Sequence, residues 1–323
     1  MKILVTGVTG FVGGHLAEFL AVHHPEIELH GTARTLEAPH YMEFLKGRLR
    51  FHECDIDDKR GVEKTISDVF PDVIIHLAAQ SYVNSSWERP EATLHTNIIG
   101  QSNVFEAVRG LMSDAYNPTI LIACSSEEYG FHAPVGGFTE ASPLRPHSPY
   151  ALSKVAQDYM GYQYWSAYGM KIIRIRAFNH TGPRRDPVFG VSGFCRKVVE
   201  IEKGMHPPQL ETRDLTAVRD FTDVRDVVQA YWLAIERCRA GEVYNVCSGK
   251  GVSFREIINV VTSLSRVQPI TLVPDPKGVR PTDGGVIIGN NKKFCQATGW
   301  QPHYDFLHQT IPDIVEYWRG NLT

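Results

Sequence analysis

The chain has 323 residues, 43% hydrophobic and 21% charged, with a formal net charge of −3. That is ordinary globular composition, long enough to bury a large core without staples and to make two domains or one large α/β unit. The balance shows no basic excess and no long Lys/Arg run, Arg184-Arg185 and Lys292-Lys293 being only pairs, which argues against nucleic-acid binding, and no apolar run long enough for a membrane span is present.

Taken in order, short β-branched runs alternate with helical stretches. Strands are predicted at 3–6, 27–32, 49–52, 73–77, 120–123 and 171–176, and helices at 14–22 and 150–168. Such alternation predicts a parallel sheet covered on both faces. Right-handed crossovers make it a Rossmann-like, doubly wound α/β fold. Beyond about residue 180 the pattern loosens, and prolines cluster at 183, 187, 207 and 208, then at 274, 276 and 281. A helix at 223–236 and a strand at 242–246 follow. The expected division is a dinucleotide-binding domain from 1–180 plus about 217–246. The remainder, about 181–216 plus 247–323, would be a smaller C-terminal α/β substrate lobe.

The six cysteines form no CxxC and no Cys/His group with zinc spacing. Reduced thiols, no metal and a cytoplasmic location are therefore expected. Strand residues begin at once after Met1, without the apolar region and cleavage site of a secretory signal.

The first chemical motif is the turn Thr6-Gly7-Val8-Thr9-Gly10-Phe11-Val12-Gly13. A diphosphate must approach the backbone closely, so glycine is needed where a Cβ would intervene. The following helix aims its N-terminal amides at the phosphates. The motif lies between a predicted strand and a predicted helix, as a dinucleotide-binding turn requires. Gly7, Thr9, Gly10, Phe11, Val12 and Gly13 are thus candidate cofactor residues. An acid ending the second strand would select the free ribose of NAD(H). This chain has Arg34 there, whose guanidinium suits a 2′-phosphate, so NADP(H) is favoured; an ordinary surface arginine is the competing reading. Asp55 and Ile56, after the third strand, suit the adenine edge or simply cap a loop.

Tyr150 and Lys154 are four apart and share one helix face. Ser148 can cap that helix, and Pro149 suits its first turn. An ammonium one turn from a phenol is expected to lower the phenol's pKa, so that Tyr150 exchanges a proton with a sugar oxygen. Ser125, Ser126 and Glu127 follow the fifth strand, at the end where such sheets bind ligands. Ser125 can bond the reacting oxygen. Glu127 is either a second acid/base or a group that orients the sugar.

The segments TGVTGFVG, HLAAQSYV, SSEEYG, SPYALSK and RAFNHTGP together resemble the extended short-chain dehydrogenase/reductases. Within these, nearly the whole chain resembles the GDP-mannose 4,6-dehydratase and GDP-4-keto-6-deoxymannose reductase group. The resemblance implies that Ser125, Tyr150 and Lys154 are catalytic and that Leu77, Ala78 and Ala79 line the cofactor. It implies that Ser81, Ser126, Asn179, His180 and Arg185 face a GDP-sugar, with Asn97 lining the site. Arg219 and Arg280 would clamp the diphosphate. It also implies a homodimer through the helix carrying Tyr150 and its neighbour. Glu127 matches the acid/base of the dehydratases. By contrast RDFTDVRDVVQAYWL (219–233) and VYNVCSG (243–249) look like the reductases. Phe221 stands where the dehydratases carry tryptophan, and Arg34 is followed by Thr35-Leu36-Glu37 rather than their arginine-serine loop. The resemblance therefore favours reduction of a 4-keto sugar over dehydration, with an epimerase of the same fold as a further alternative and a catalytically silent NADP(H) sensor as the non-enzyme one.

Overall fold

A computed structural model describes residues 1–35, 40–275 and 284–322. The chain begins with β1 (Lys2–Thr6), α1 (Phe11–His23), β2 (Glu28–Ala33), β3 (Leu49–Glu53), α2 (Lys59–Val69) and β4 (Val73–His76). Two short helices, α3 (Val83–Glu88) and α4 (Pro90–Leu94), lead to α5 (Gly100–Leu111), β5 (Thr119–Ser125), α6 (Pro149–Tyr168) and β6 (Lys171–Ala177). Next come β7 (Asn179–Thr181), α7 (Gly190–Glu202), β8 (Gln209–Thr212), β9 (Val218–Asp223), α8 (Val224–Arg237) and β10 (Val243–Val246). The last elements are β11 (Gly251–Ser253), α9 (Phe254–Ser263), β12 (Thr271–Pro274), β13 (Val286–Ile287), α10 (Lys292–Thr298) and α11 (Ile311–Asn321).

Seven strands form one parallel sheet in the order β10-β6-β5-β4-β1-β2-β3. Strand side chains alternate between faces, and here both faces are apolar. Ile3, Val5, Val73 and Ile75 pack with Leu16 and Leu20 of α1 and Val227 and Tyr231 of α8. Leu4, Ile74, Ile120 and Ile122 pack on the other face with Ile66 of α2, Phe105 of α5 and Tyr164 of α6. Each such side chain contributes on the order of 2 kcal/mol by burial. Together they hold the strand ends, from which the site is built, in place.

The second lobe has its own sheet, in which β9 pairs with β7, β11 and β13. It also has an apolar core built from α7, α9 and α11. The segment 217–246 divides between the two units: β9 joins the small sheet, whereas α8 covers the large sheet and β10 extends it.

α6 starts where its sequence dictates. The Ser148 Oγ accepts from the Ala151 N–H at 3.0 Å, and Pro149, with no N–H to satisfy, occupies the first turn. Gly169, at φ +69°, ends the helix in the left-handed conformation that glycine tolerates. No helix among the described residues is long and apolar enough to cross a membrane.

Candidate active site

Two adjoining cavities open at the C-terminal ends of β1, β4, β5 and β6. The larger, about 550 Å³, runs over the glycine-rich turn. Gly7 has φ +69°, and a Cβ there would sit 2.9 Å from the Ala78 Cα. A Cβ on Gly13 would sit 2.4 Å from the Gly7 carbonyl oxygen. The turn is thus packed against its neighbours as only glycine allows. Gly10 caps α1 with no side-chain hydrogen bond, which leaves the first amides of α1 to an anion.

Every residue predicted to contact the cofactor lines this cavity: Gly7, Thr9, Gly10, Phe11, Val12, Gly13, Arg34, Asp55, Ile56, Leu77, Ala78, Ala79, Tyr150 and Lys154. Thr6 fastens the floor, since its Oγ accepts from the Leu77 and Ala78 N–H groups at 3.1 Å and is bonded to His76 Nδ1 at 2.9 Å. Size, glycine cradle and free amides all suit a dinucleotide.

The smaller cavity, about 210 Å³, adjoins the first. Ser81, Cys124, Tyr150, His180 and Arg185 line both. Ser125, Ser126, Glu127 and Asn179 line only the smaller one. The structure therefore brings the predicted hydroxyl, phenol and ammonium together where the cavities meet. Ser125 lies beside the Tyr150 phenol and favours its anion. The Lys154 Nζ donates to the Ala123 carbonyl at 2.8 Å and lies 5.9 Å from the centre of the Tyr150 ring.

The electrostatics differ from the expectation in one respect. Burial, the largest influence, pushes the Tyr150 phenol above its ordinary value, and the Ser125 hydrogen bond and then the Arg185 charge pull it back. The protein alone therefore holds Tyr150 as a proton donor, because taking a phenolate out of water costs more than these partners return. Burial also lowers Lys154, while Cys124 and Glu128 oppose the shift.

Glu127 is raised by burial, against the charges of Arg219 and His147. His180 is pushed down to about 4 by burial and then by Arg185. Its Nδ1–H donates to the Phe178 carbonyl at 2.9 Å, so the neutral ring can turn Nε2 to the cavity. Arg185 is lowered to about 10 by burial. Its guanidinium lies 3.5 Å from the Phe189 ring centre and 4.7 Å from that of Phe11. Asn179 presents a buried Oδ1 with no partner among the described residues.

Other predicted residues sit elsewhere. Arg219 lines neither cavity. It donates to the carbonyls of Val218 at 3.0 Å, Gly285 at 2.9 Å and Gly284 at 3.0 Å, so its visible work is to brace the lobe beside Glu127. Asn97 holds the loop under Ser81 rather than lining the site: its Oδ1 accepts from the Gln80 N–H at 2.8 Å and its Nδ2 donates to Ser153 Oγ at 2.8 Å. Arg280 lies outside the described residues.

Arg89, Thr96 and Tyr231 also line the larger cavity, and Phe189 and Phe254 the smaller, beyond the residues predicted. None belongs to a spaced motif. His147, whose ring stacks on Phe131 at 4.7 Å between centres, was also missed. One trio of possible metal ligands occurs among the described residues, Cys124, Glu128 and Asp158. Both Asp158 oxygens already serve Arg174 and Arg176, an arrangement that leaves no room for a cation's charge.

The family profile described as GDP-mannose 4,6 dehydratase matches residues 4–311. The chain belongs to that family. It is 30% identical to the GDP-6-deoxy-D-mannose reductase of Pseudomonas aeruginosa, over 99% of this chain and 98% of the relative. Among solved structures it resembles RMD from Pseudomonas aeruginosa complexed with NADPH, with a TM-score of 0.83, 28% identity and 99% of both chains covered. It likewise resembles the Thermus thermophilus UDP-glucose 4-epimerase complex with NAD, with a TM-score of 0.85, 31% identity and 100% of both chains covered. The chain is accordingly an enzyme of the extended short-chain dehydrogenase/reductase type using a nicotinamide cofactor, as its motifs implied.

Proposed function

We propose that this enzyme reduces the C4 ketone of a GDP-6-deoxy-4-keto-hexose with NADPH. The observation that carries the reading is the meeting of Ser125, Tyr150 and Lys154 at the junction of a dinucleotide-sized cavity and a second, polar one. The end-to-end similarity to a GDP-6-deoxy-D-mannose reductase supports this substrate class. Arg34 at the rim supports NADP(H) over NAD(H).

When bound, NADPH supplies a hydride. Ser125 holds the ketone oxygen by a hydrogen bond, and Tyr150 gives that oxygen its phenolic proton. The C4 carbonyl thereby becomes a hydroxyl, and Tyr150 is left as a phenolate. The Lys154 ammonium and the Arg185 guanidinium both favour that anion. Lys154, anchored on the Ala123 carbonyl and lining the larger cavity, would hold the cofactor ribose. Asn179 and neutral His180 offer polar atoms to the sugar or diphosphate, and Arg185 offers a charge.

A second reading has a specific observation behind it. Glu127 lines the sugar cavity with its carboxyl raised above the ordinary range, as an acid/base for C5 deprotonation and C6 water loss would need. That reading makes the enzyme a GDP-mannose 4,6-dehydratase. Incubation with GDP-mannose and NADP+ tests it, because loss of one water without net NADPH supports the dehydratase. Incubation of the 4-keto product with NADPH tests the first reading, because a fall in NADPH absorbance supports the reductase. Silence in both assays refutes both and leaves the epimerase.

We also propose a homodimer through α6 and α5. Leu152, Tyr159 and Tyr162 of α6 are about half exposed, as is Ile99 just before α5, an apolar face that a second copy would cover. Light scattering that returns a monomer mass would refute it.

A further inference from the structure

Behind the catalytic residues lies a buried polar cluster that the reaction scheme does not use. Glu128 and Asp158 are both fully buried. A carboxyl oxygen of each and the Cys124 sulfur all lie within 4.8 Å of one another. Asp158 is on α6, one turn beyond Lys154 and two beyond Tyr150, so all three share one stripe. Glu128 is in the turn after β5. Its Oε1 accepts from the Ser125 N–H at 2.8 Å, while Ser125 Oγ accepts from the Glu127 N–H at 3.2 Å. The two carboxyl groups thus connect the turn that carries Ser125 to the helix that carries Tyr150.

The donors nearby are already committed. Arg176 Nε lies 3.3 Å from Glu128 Oε2, yet its hydrogen goes to Asp158 Oδ2 at 2.6 Å. Arg176 Nη1 serves the Tyr129 hydroxyl at 2.9 Å and the Glu140 carbonyl at 3.1 Å. Arg174 bonds the other Asp158 oxygen. Glu128 Oε2 is left with no donor from any described residue, facing a carboxylate. Burial and then the Asp158 charge disfavour a carboxylate on Glu128 more than the shared Arg176 favours it, and its Oε2 lacks a donor. A proton on Glu128 provides one.

We propose that Glu128, held as a neutral carboxylic acid that donates to Asp158, is a positioning residue that sets the Ser125 hydroxyl against the Tyr150 phenol. The acid does two things at once: its carbonyl oxygen receives the Ser125 N–H, and its hydroxyl reaches α6. A glutamine has the same pair of functions, since its oxygen accepts and its NH2 donates. A leucine has neither. The proposal rests on the reading of Ser125 and Tyr150 as the proton-transfer pair.

Infrared difference spectra and kinetics of Glu128→Gln and Glu128→Leu test it. The wild-type protein should show a protonated-carboxyl C=O stretch that is missing from Glu128→Gln. Glu128→Gln should keep kcat within about 3-fold of wild type. Glu128→Leu should lose ~10- to 100-fold in kcat, the scale of a sub-ångström to ångström misplacement, with NADPH affinity unchanged. Absence of the carboxyl band would overturn the proposal, and so would a Glu128→Gln variant as impaired as Glu128→Leu, because either result means that Glu128 acts as a charge. If Glu128→Leu does not fold, the band and the glutamine variant still decide. If the wild-type enzyme leaves the GDP-sugar unchanged while the band is present, the functional reading fails and the neutral acid stands.

Discussion

Replacing Tyr150 by phenylalanine separates chemistry from structure at this site. The substitution removes one hydroxyl from a buried ring. Ser125, the neighbour that most favours its anion, keeps its contact with the Glu127 N–H at 3.2 Å and so is not orphaned. The fold should therefore lose at most about 1 kcal/mol, the ordinary net value of one hydrogen bond. Catalysis loses its proton donor, which is worth roughly 10²- to 10⁴-fold, or about 3 to 5 kcal/mol of transition-state stabilisation. NADPH affinity should barely change, because the glycine turn, Lys154 and the Leu77–Ala79 floor are untouched. The assays are NADPH consumption with the 4-keto GDP-sugar, fluorescence titration of NADPH and thermal melting. Turnover within a few-fold of wild type would refute the proton-donor role. A loss of activity matched by a loss of NADPH binding would refute the division of labour.

Three more perturbations have defined outcomes. Gly13→Ala places a methyl group 2.4 Å from the Gly7 carbonyl oxygen; overpacking of this kind costs roughly 1 to 3 kcal/mol, to be seen as weaker NADPH binding by titration. Arg34→Ala should weaken NADPH by about tenfold, or ~1.4 kcal/mol, and leave NADH unaffected; an equal effect on both cofactors would refute a 2′-phosphate contact. Glu127→Gln should change melting with pH: burial raises the folded pKa of Glu127, so in that window the folded state binds more protons than the unfolded one and wild-type stability falls as pH rises. The variant lacks this loss, and its advantage in Tm should grow from the ordinary carboxylate range towards neutral pH. Its reductase turnover should stay within about tenfold of wild type, whereas a 10²- to 10⁴-fold collapse would mark Glu127 as an essential acid/base.

The large sheet was legible because its signals are local. The runs around Ile3–Val5 and Val73–Ile75 are apolar at every position, as a strand covered on both faces must be. The glycine turn and the Ser148-Pro149-Tyr150 start of α6 are written in consecutive residues. What escaped was long-range. Nothing near Arg185 shows that its cation stacks on Phe11, which lies far away in the chain. Nothing near Glu128 shows that its neighbour is Asp158, thirty residues on. The Tyr150 shift ran opposite to expectation because a four-residue spacing reports the approach of Lys154 but not the burial that outweighs it. Likewise about 217–246 reads as one piece of the dinucleotide-binding domain, whereas β9 pairs with β7, β11 and β13, a pairing that only the tertiary fold decides.

The most direct test of the account follows the hydride itself. NADPH deuterated at the transferring position is mixed with the GDP-4-keto-6-deoxy sugar and the purified enzyme. The product should carry one deuterium at sugar C4, matched by one NADPH oxidised. A product without deuterium, or an altered sugar with the NADPH intact, would contradict reduction at this site.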